Sequence, residues 1–239
     1  MECPMTVTAP HTVFSRTADD YDGMRRGLVP SFDAFYGNAL DVIDIWRRER
    51  GEGVDGGSPL RLVDLGIGTG LFSAMVLERN PDARIAGLDF SEGMLAEAAK
   101  RFDGDDRVTL AKADLATDDI GGPWDLALSA LAIHHLEHEA QRSLYARVRK
   151  ALAPGGLFIN AEMVLGPSAE AEARYDRIWL DDVTGAGVPA EALAKARQRM
   201  AFDRCAHIED QFAWLRAAGF SEIDVTFKRW RFAVLTARV

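Results

Sequence analysis

The chain predicts an α/β protein built on a doubly wound, mostly parallel sheet with helices on both faces. Three observations lead there. Short apolar runs alternate with helical patterns from Pro59 to Ala161, the arrangement produced by right-handed strand–helix–strand crossovers. The first run enters a turn with glycine at alternate positions, Gly66, Gly68 and Gly70, and the second closes on an acidic residue, Asp89. The composition agrees. Of 239 residues, 48% are hydrophobic and 27% charged, near the averages of globular domains and far from disordered, collagen-like or disulfide-scaffold chains. The length suits one domain with accessories, or at most two small ones.

The elements follow in order. Phe32, Phe35, Tyr36, Leu40, Ile43 and Trp46 recur at three- and four-residue spacings, an amphipathic helix over about Pro30 to Arg50. Pro30 suits its first turn. Gly51-Glu52-Gly53-Val54-Asp55-Gly56-Gly57-Ser58 holds neither period and reads as a flexible connection. Beyond it, Leu60 to Leu65, Arg84 to Leu88, Val108 to Ala111, Trp124 to Ser129 and Leu157 to Ala161 are expected strands. Leu71 to Glu78, Ser91 to Phe102 with Ser91 as N-cap, and Glu139 to Leu152 are the helices between them, and Pro154-Gly155-Gly156 is a turn. Past Gly166 two charged helices, Ser168 to about Val183 and Pro189 to about Met200, add length without a strand, as an insertion over a ligand site would. A helix from Glu209 to Ala218 stops at Gly219, and Glu222 to Phe227 and Arg231 to Thr236 close the chain as a strand pair. Residues 1–58 are therefore expected to form an N-terminal helical lid segment, and residues 59–239 the main domain with its insertion at about 168–204.

Charge and cysteine usage narrow the function. Lys and Arg number 28 against 37 Asp and Glu, a net charge of −9; an acidic surface repels phosphate backbones, so no nucleic-acid partner is expected. Cys3 and Cys205 have no metal-ligand or disulfide spacing, and no metal is expected. Met1 to Pro10 lacks a basic stretch leading into an apolar one, and no window approaches the roughly 20 apolar residues of a membrane span. A cytoplasmic location follows, with a small-molecule substrate and, at most, a second copy of the chain as partner.

The strongest signal is Leu62-Val63-Asp64-Leu65-Gly66-Ile67-Gly68-Thr69-Gly70. Glycine at these positions permits positive φ and lets a ligand approach the backbone. The dinucleotide fingerprint requires glycine where this chain has Leu71, which argues against NAD or FAD. Asp89 lies nineteen residues beyond Gly70 at the end of the next strand, where a carboxylate can hold both hydroxyls of a ribose. Asp114 follows the third strand and can reach the exocyclic amine of an adenine.

Asp64 to Gly70, Gly87 to Leu95 (GLDFSEGML), Lys112 to Leu115 (KADL), Leu152 to Ile159 (LAPGGLFI) and Trp214 to Phe220 (WLRAAGF) together resemble the class I S-adenosylmethionine-dependent methyltransferases of the small-molecule type. The resemblance covers roughly residues 60 to 237. It implies a Rossmann-like seven-stranded sheet, mostly parallel with an antiparallel C-terminal strand, and S-adenosyl-L-methionine as cofactor. On this resemblance Asp64, Gly66, Gly68 and Gly70 cradle the amino-acid end, Asp89 holds the ribose, and Phe90, Met94, Asp114 and Leu115 surround the adenine. Ser129 and Ala130 line the methionine portion, and Tyr21 with Arg25 or Arg26 lies over the cofactor as a lid.

His134-His135 follows the fourth strand. An imidazole can accept a proton from a hydroxyl or amine acceptor during transfer, and His135 is the expected base, with His134 structural. Tyr175, Trp179, Phe202 and Trp230 are candidates for an aromatic pocket wall, which would attract a sulfonium. The acidic magnesium cluster of catechol O-methyltransferases and the Asn/Asp-Pro-Pro-Tyr/Phe motif of many N-methyltransferases are both missing; Ser129-Ala130-Leu131-Ala132 stands at the latter's place. The expected activity is methyl transfer to a small molecule. The alternatives are an enzyme of the same fold that cyclises S-adenosylmethionine itself to azetidine-2-carboxylate with release of methylthioadenosine, and a non-catalytic binding module.

Overall fold

The structure, a computed structural model, describes residues 24–51 and 58–239. Helix α1 (Phe32–Glu49) is followed by β1 (Arg61–Leu65), α2 (Leu71–Arg79), β2 (Arg84–Asp89), α3 (Glu92–Arg101), β3 (Val108–Lys112) and β4 (Trp124–Ala130). A short 3-10 turn (Ile133–His135), α4 (His138–Ala151) and β5 (Leu152–Met163) come next. Two insertion helices, α5 (Ala169–Gly185) and α6 (Ala190–Met200), then α7 (Ile208–Ala217), β6 (Ser221–Arg229) and β7 (Phe232–Arg238) complete the chain. The seven strands form one sheet in the order β3-β2-β1-β4-β5-β7-β6. β1 to β5 pair in parallel, while β7 runs antiparallel to both β5 and β6.

Alternation along the central strands builds a core on each face. Leu62, Leu126, Leu128, Leu157 and Ile159 point to one side, into a cluster with α1, α2 and Trp179 of α5. Val63, Leu65, Ala127 and Phe158 point to the other, against Leu144, Tyr145 and Val148 of α4 and Leu215 of α7. Strands buried on both faces read as nearly continuous apolar runs rather than alternating ones, which is why β1 and β4 are legible as strands.

Two features differ from expectation. The first helix is part of the larger core: Phe35, Tyr36, Ile43 and Trp46 are buried there, and Trp46 Nε1 donates to the Gly155 carbonyl at 3.1 Å. β5 starts at Leu152, earlier than the expected Leu157. Leu152 pairs with Trp124, and pairing resumes at Leu157 opposite Leu126, so Pro154-Gly155-Gly156 is a bulge inside the strand, with Gly155 at φ 73°.

Candidate active site

Two cavities open at the carboxyl ends of β1 to β4, the edge of an open α/β sheet where ligands bind. β1 runs into a loop in which Gly66 and Gly68 have φ of 80° and 57°, the left-handed region that glycine enters without penalty. A Cβ on Gly66 would stand 2.3 Å from Cβ of Ala132, whereas one on Gly68 would meet nothing within 4 Å. Gly66 is required by close packing, and Gly68 leaves a gap at the cavity. The loop is pinned by the N–H groups of Gly66 and Ile67, which donate to the Leu88 carbonyl at 2.8 and 3.0 Å.

Asp89 closes the far side of that loop. Its Oδ2 accepts from the Gly68 N–H and its Oδ1 from the Ser91 N–H, both at 2.8 Å. Each carboxylate oxygen keeps a further lone pair, enough for two hydroxyl donors. Burial raises the Asp89 pKa against the lowering pull of the Ser91, Gly68 and Phe90 N–H groups. The cavity measures about 310 Å³, within the range of small-molecule sites. Phe90, although 46% exposed, lines it together with Met94, Asp114 and Leu115.

The second cavity, about 80 Å³, adjoins the first, and Arg25, Leu131 and His135 line both. Leu131 holds φ at 53°, which costs a non-glycine residue about 1–2 kcal/mol. Its N–H, bonded to the Ala161 carbonyl at 2.8 Å, holds it there. The remaining wall is largely apolar: Leu28 and Val29 ahead of α1, Met163, Trp179 of α5 and Phe232 of β7, with Arg199 and Met200 from α6.

Its polar end is a cluster. His134 hydrogen-bonds through Nδ1 to Glu162 Oε1, and its backbone N–H donates to Glu162 Oε2 at 3.0 Å. On the opposite side His134 Nε2 lies 3.6 Å from Asp203 Oδ1, and His135 Nδ1 lies 3.1 Å from the same oxygen. Burial works to lower the His134 pKa, but the charge and hydrogen bond of Glu162, with Asp203, outweigh it and raise the value. His135 is lowered, first by burial and then by His134, against the opposing pull of Asp203.

Residues 63–158 match a family model described as a methyltransferase domain. A trans-aconitate 2-methyltransferase of Methylobacterium nodulans is 35% identical over 174 residues, 73% of this chain and 60% of that protein. A demethylmenaquinone methyltransferase of Clavibacter sepedonicus is 30% identical over 170 residues, 69% of this chain and 66% of its own length. The chain belongs to the class I S-adenosylmethionine-dependent methyltransferases. It spans 60% of the length of its Methylobacterium relative. Solved methyltransferases share the fold: a magnesium protoporphyrin IX methyltransferase from Synechocystis has a TM-score of 0.60 at 18% identity, with 95% of this chain and 98% of that one covered. An O-methyltransferase family 2 protein from Planctomyces limnophilus has a TM-score of 0.66 at 17% identity, with 98% and 62% covered.

The cofactor of this methyltransferase family fits the first cavity by chemistry. A nucleoside needs a diol acceptor, and Asp89 presents two oxygens with spare lone pairs; an adenine needs a flat apolar slot, and Phe90, Met94 and Leu115 make one. Asp114 stands at the slot's edge, its Oδ1 accepting from the Ala116 N–H at 2.8 Å.

Of the residues expected from sequence, Gly66, Gly68, Asp89, Phe90, Met94, Asp114, Leu115 and His135 line the first cavity. Asp64, Gly70 and Ser129 are not among its lining residues. Asp64 is buried beside α2, its Oδ2 accepting from Ser73 Oγ at 2.6 Å; Gly70 starts α2; Ser129 Oγ donates to the Leu65 carbonyl at 2.8 Å. These three shape the site from beneath, and Ala130, Leu131 and Ala132 provide the surface in place of Ser129. Arg26 is 65% exposed and pairs with Asp33 at 2.7 Å; it is the neighbouring Arg25 that enters the cavities, because successive residues of a helical turn face different ways. Tyr21 lies outside the described residues. Trp179 lines the second cavity, whereas Tyr175 lies behind it, its hydroxyl accepting from Lys228 Nζ at 3.1 Å.

Sequence reasoning missed Glu162, Asp203 and Arg199, which the structure brings to the second cavity or its histidine cluster. Glu162 had a signal, an acid in the apolar run Phe158-Ile159-Asn160-Ala161-Glu162-Met163 at the end of β5. Asp203 and Arg199 had none, since their role comes from how the insertion folds back.

Proposed function

We propose that this chain transfers the methyl group of S-adenosyl-L-methionine to a small-molecule acceptor held in the second cavity. The observation that carries this reading is the junction: one cavity suited to the nucleoside and a second adjoining it share Arg25, Leu131 and His135. The relatives named above are methyltransferases. Residues 59–239 act as the catalytic domain, and the insertion at about 168–204 supplies its cover together with the segment ahead of α1 that carries Arg25, Leu28 and Val29. The enzyme is read as a cytoplasmic one of biosynthesis, acting alone or as a homodimer; among the described residues no helix is long and apolar enough to cross a membrane.

When bound, S-adenosylmethionine supplies a methyl group already activated by the positive sulfur. The chain's own work is then orientation and exclusion of water. Asp89 sets the ribose, Phe90, Met94 and Leu115 clamp the base, and Asp114 marks its edge. The Gly66–Gly68 backbone and Arg25 receive the amino-acid end, the guanidinium suiting a carboxylate. Trp179, Met163 and Phe232 hold the apolar part of the acceptor, and the His135–Asp203 side of the second cavity activates its nucleophilic atom.

The cyclising alternative called for a closed cavity with no room for an acceptor, and a second cavity adjoins the first. The test is incubation of the purified protein with S-adenosylmethionine and a panel of compact carboxylic acids, phenols and amines, followed by mass spectrometry. S-adenosylhomocysteine formed in step with one methylated acceptor is expected, and Asp89→Ala is expected to abolish both. Methylthioadenosine released without any acceptor would overturn the reading.

A further inference from the structure

We propose that His134, His135 and Asp203 bind a first-row divalent transition-metal ion, zinc or a close analogue, at the polar end of the second cavity. The inference rests on reading that cavity as the acceptor pocket and says how its nucleophile is held.

The donor atoms converge. Asp203 Oδ1 stands 3.1 Å from His135 Nδ1 and 3.6 Å from His134 Nε2, and all three atoms lie within 4.8 Å of one another. Metal bonds of about 2.0–2.2 Å in a tetrahedral arrangement place neighbouring donors about 3.4 Å apart. Two imidazoles and one carboxylate suit zinc, cobalt or iron; magnesium and calcium prefer oxygen alone.

Three further observations point to an ion. Glu162 occupies the other ring nitrogen of His134, which aims Nε2 at Asp203, as carboxylates do behind metal-bound histidines. Glu162 is itself fixed by the N–H groups of His134 and Met163, at 3.0 and 2.7 Å. Asp203 Oδ1 is buried, and its ion pairs with the two imidazoles lack hydrogen-bond alignment, an arrangement that a cation between the three groups would satisfy. Asp203 is also placed deliberately, since the next residue's N–H donates to the His134 carbonyl at 2.6 Å.

Three protein ligands leave a coordination position open, as in catalytic zinc sites. His134, His135 and Asp203 all line the second cavity, so that position falls to an oxygen of the acceptor, beside the junction with the cofactor cavity. The favoured acceptor class is a compact molecule whose carboxylate oxygen, or whose hydroxyl oxygen after losing its proton to solvent, would ligate the metal and take the methyl group as the S–CH3 bond breaks and S-adenosylhomocysteine leaves.

The test uses the full, tag-free chain stripped with a chelator and titrated with cobalt(II), read by visible absorption. Saturation at one equivalent, reversed by zinc, is expected. Asp203→Asn and His134→Gln should lose the signal while still binding S-adenosylhomocysteine by calorimetry, and Glu162→Gln should weaken metal affinity roughly 10- to 100-fold. Should those variants fail to fold, X-ray absorption of the zinc-loaded wild type decides: two nitrogens and an oxygen at about 2.0–2.2 Å support the site, and a sulfur ligand overturns it. Absence of saturable absorption, or a signal equal in Asp203→Asn, also overturns it. Methyl transfer unchanged by metal removal would overturn the metal's part in holding the acceptor and leave the methyltransferase reading intact. A tightly bound ion with no transfer to any acceptor would do the reverse.

Discussion

Asp64, beneath the glycine loop, holds its proton far longer than an ordinary carboxyl. Burial pushes its pKa from 3.8 up to about 7, with Asp89 adding to the rise and Ser73 and Arg25 opposing it. A folded value above the unfolded one means the native state keeps a proton that the unfolded chain has lost. The stabilising contribution is complete below 3.8, declines as pH rises, and is gone above about 7. At about 1.4 kcal/mol per unit, the window is worth on the order of 4 kcal/mol. Asp64→Asn is expected to flatten the fall in stability across that window in urea titrations, and a slope equal to that of the wild type would refute the assignment. A cationic cofactor bound above Asp64 and Asp89 favours their charged forms. Binding near pH 6.5 should therefore release protons, seen in calorimetry as an enthalpy that changes with the ionisation heat of the buffer.

At this scale the sequence was most legible where one residue type is forced. Gly66, Gly68 and Asp89 follow from backbone conformation and ribose chemistry, and the structure places all three at the cavity. It was least legible where a side chain's direction decides. Arg25 and Arg26 are chemically identical neighbours, and only the docking of the segment ahead of α1 separates them. His134 and His135 stood out in the sequence, yet their shared neighbour Asp203 lies 68 residues beyond His135, a distance no spacing rule bridges.

Among the elements, α1 shows how an apparent accessory becomes structural. Its stripe was plain in the sequence, but an amphipathic helix does not announce what it covers, and it covers the sheet itself. Trp46 is buried in the larger core; Trp46→Ala is expected to cost about 3–5 kcal/mol, measurable as a lowered denaturation midpoint. Arg47 fastens the end of the helix, donating to Asn80 Oδ1 at 2.7 Å and to both oxygens of Asp82 at 2.9 and 2.7 Å. Arg47→Met would strand the buried Asn80 carbonyl oxygen, at a cost of about 1–3 kcal/mol. A loss below 0.5 kcal/mol, roughly that of an ordinary surface change, would show that the contact holds nothing. The insertion is the converse case. α5 and α6 were legible as helices from their charged pattern, while their placement over the second cavity arises only when Trp179 and Arg199 fold back onto β5 and the turn after β4.

For the whole molecule, the mostly parallel sheet covered on both faces was legible because short apolar runs alternate with helical patterns. What the chain alone did not reveal is that two cavities, the proposed places of cofactor and acceptor, meet at Arg25, Leu131 and His135. Both halves of the proposed mechanism would depend on that junction, the first through orientation at Asp89 and the second through the histidine cluster. Widening Leu131 to Trp should obstruct it: cofactor affinity is expected to stay within a few-fold of wild type while acceptor turnover falls by at least an order of magnitude in steady-state kinetics. The most direct measurement is a crystal structure of the chain with S-adenosylhomocysteine. The ribose hydroxyls should lie on Asp89, the adenine against Phe90 and Met94, and the sulfur should face the second cavity past Leu131. A sulfur turned away from that cavity, or a nucleoside bound elsewhere, would contradict the account.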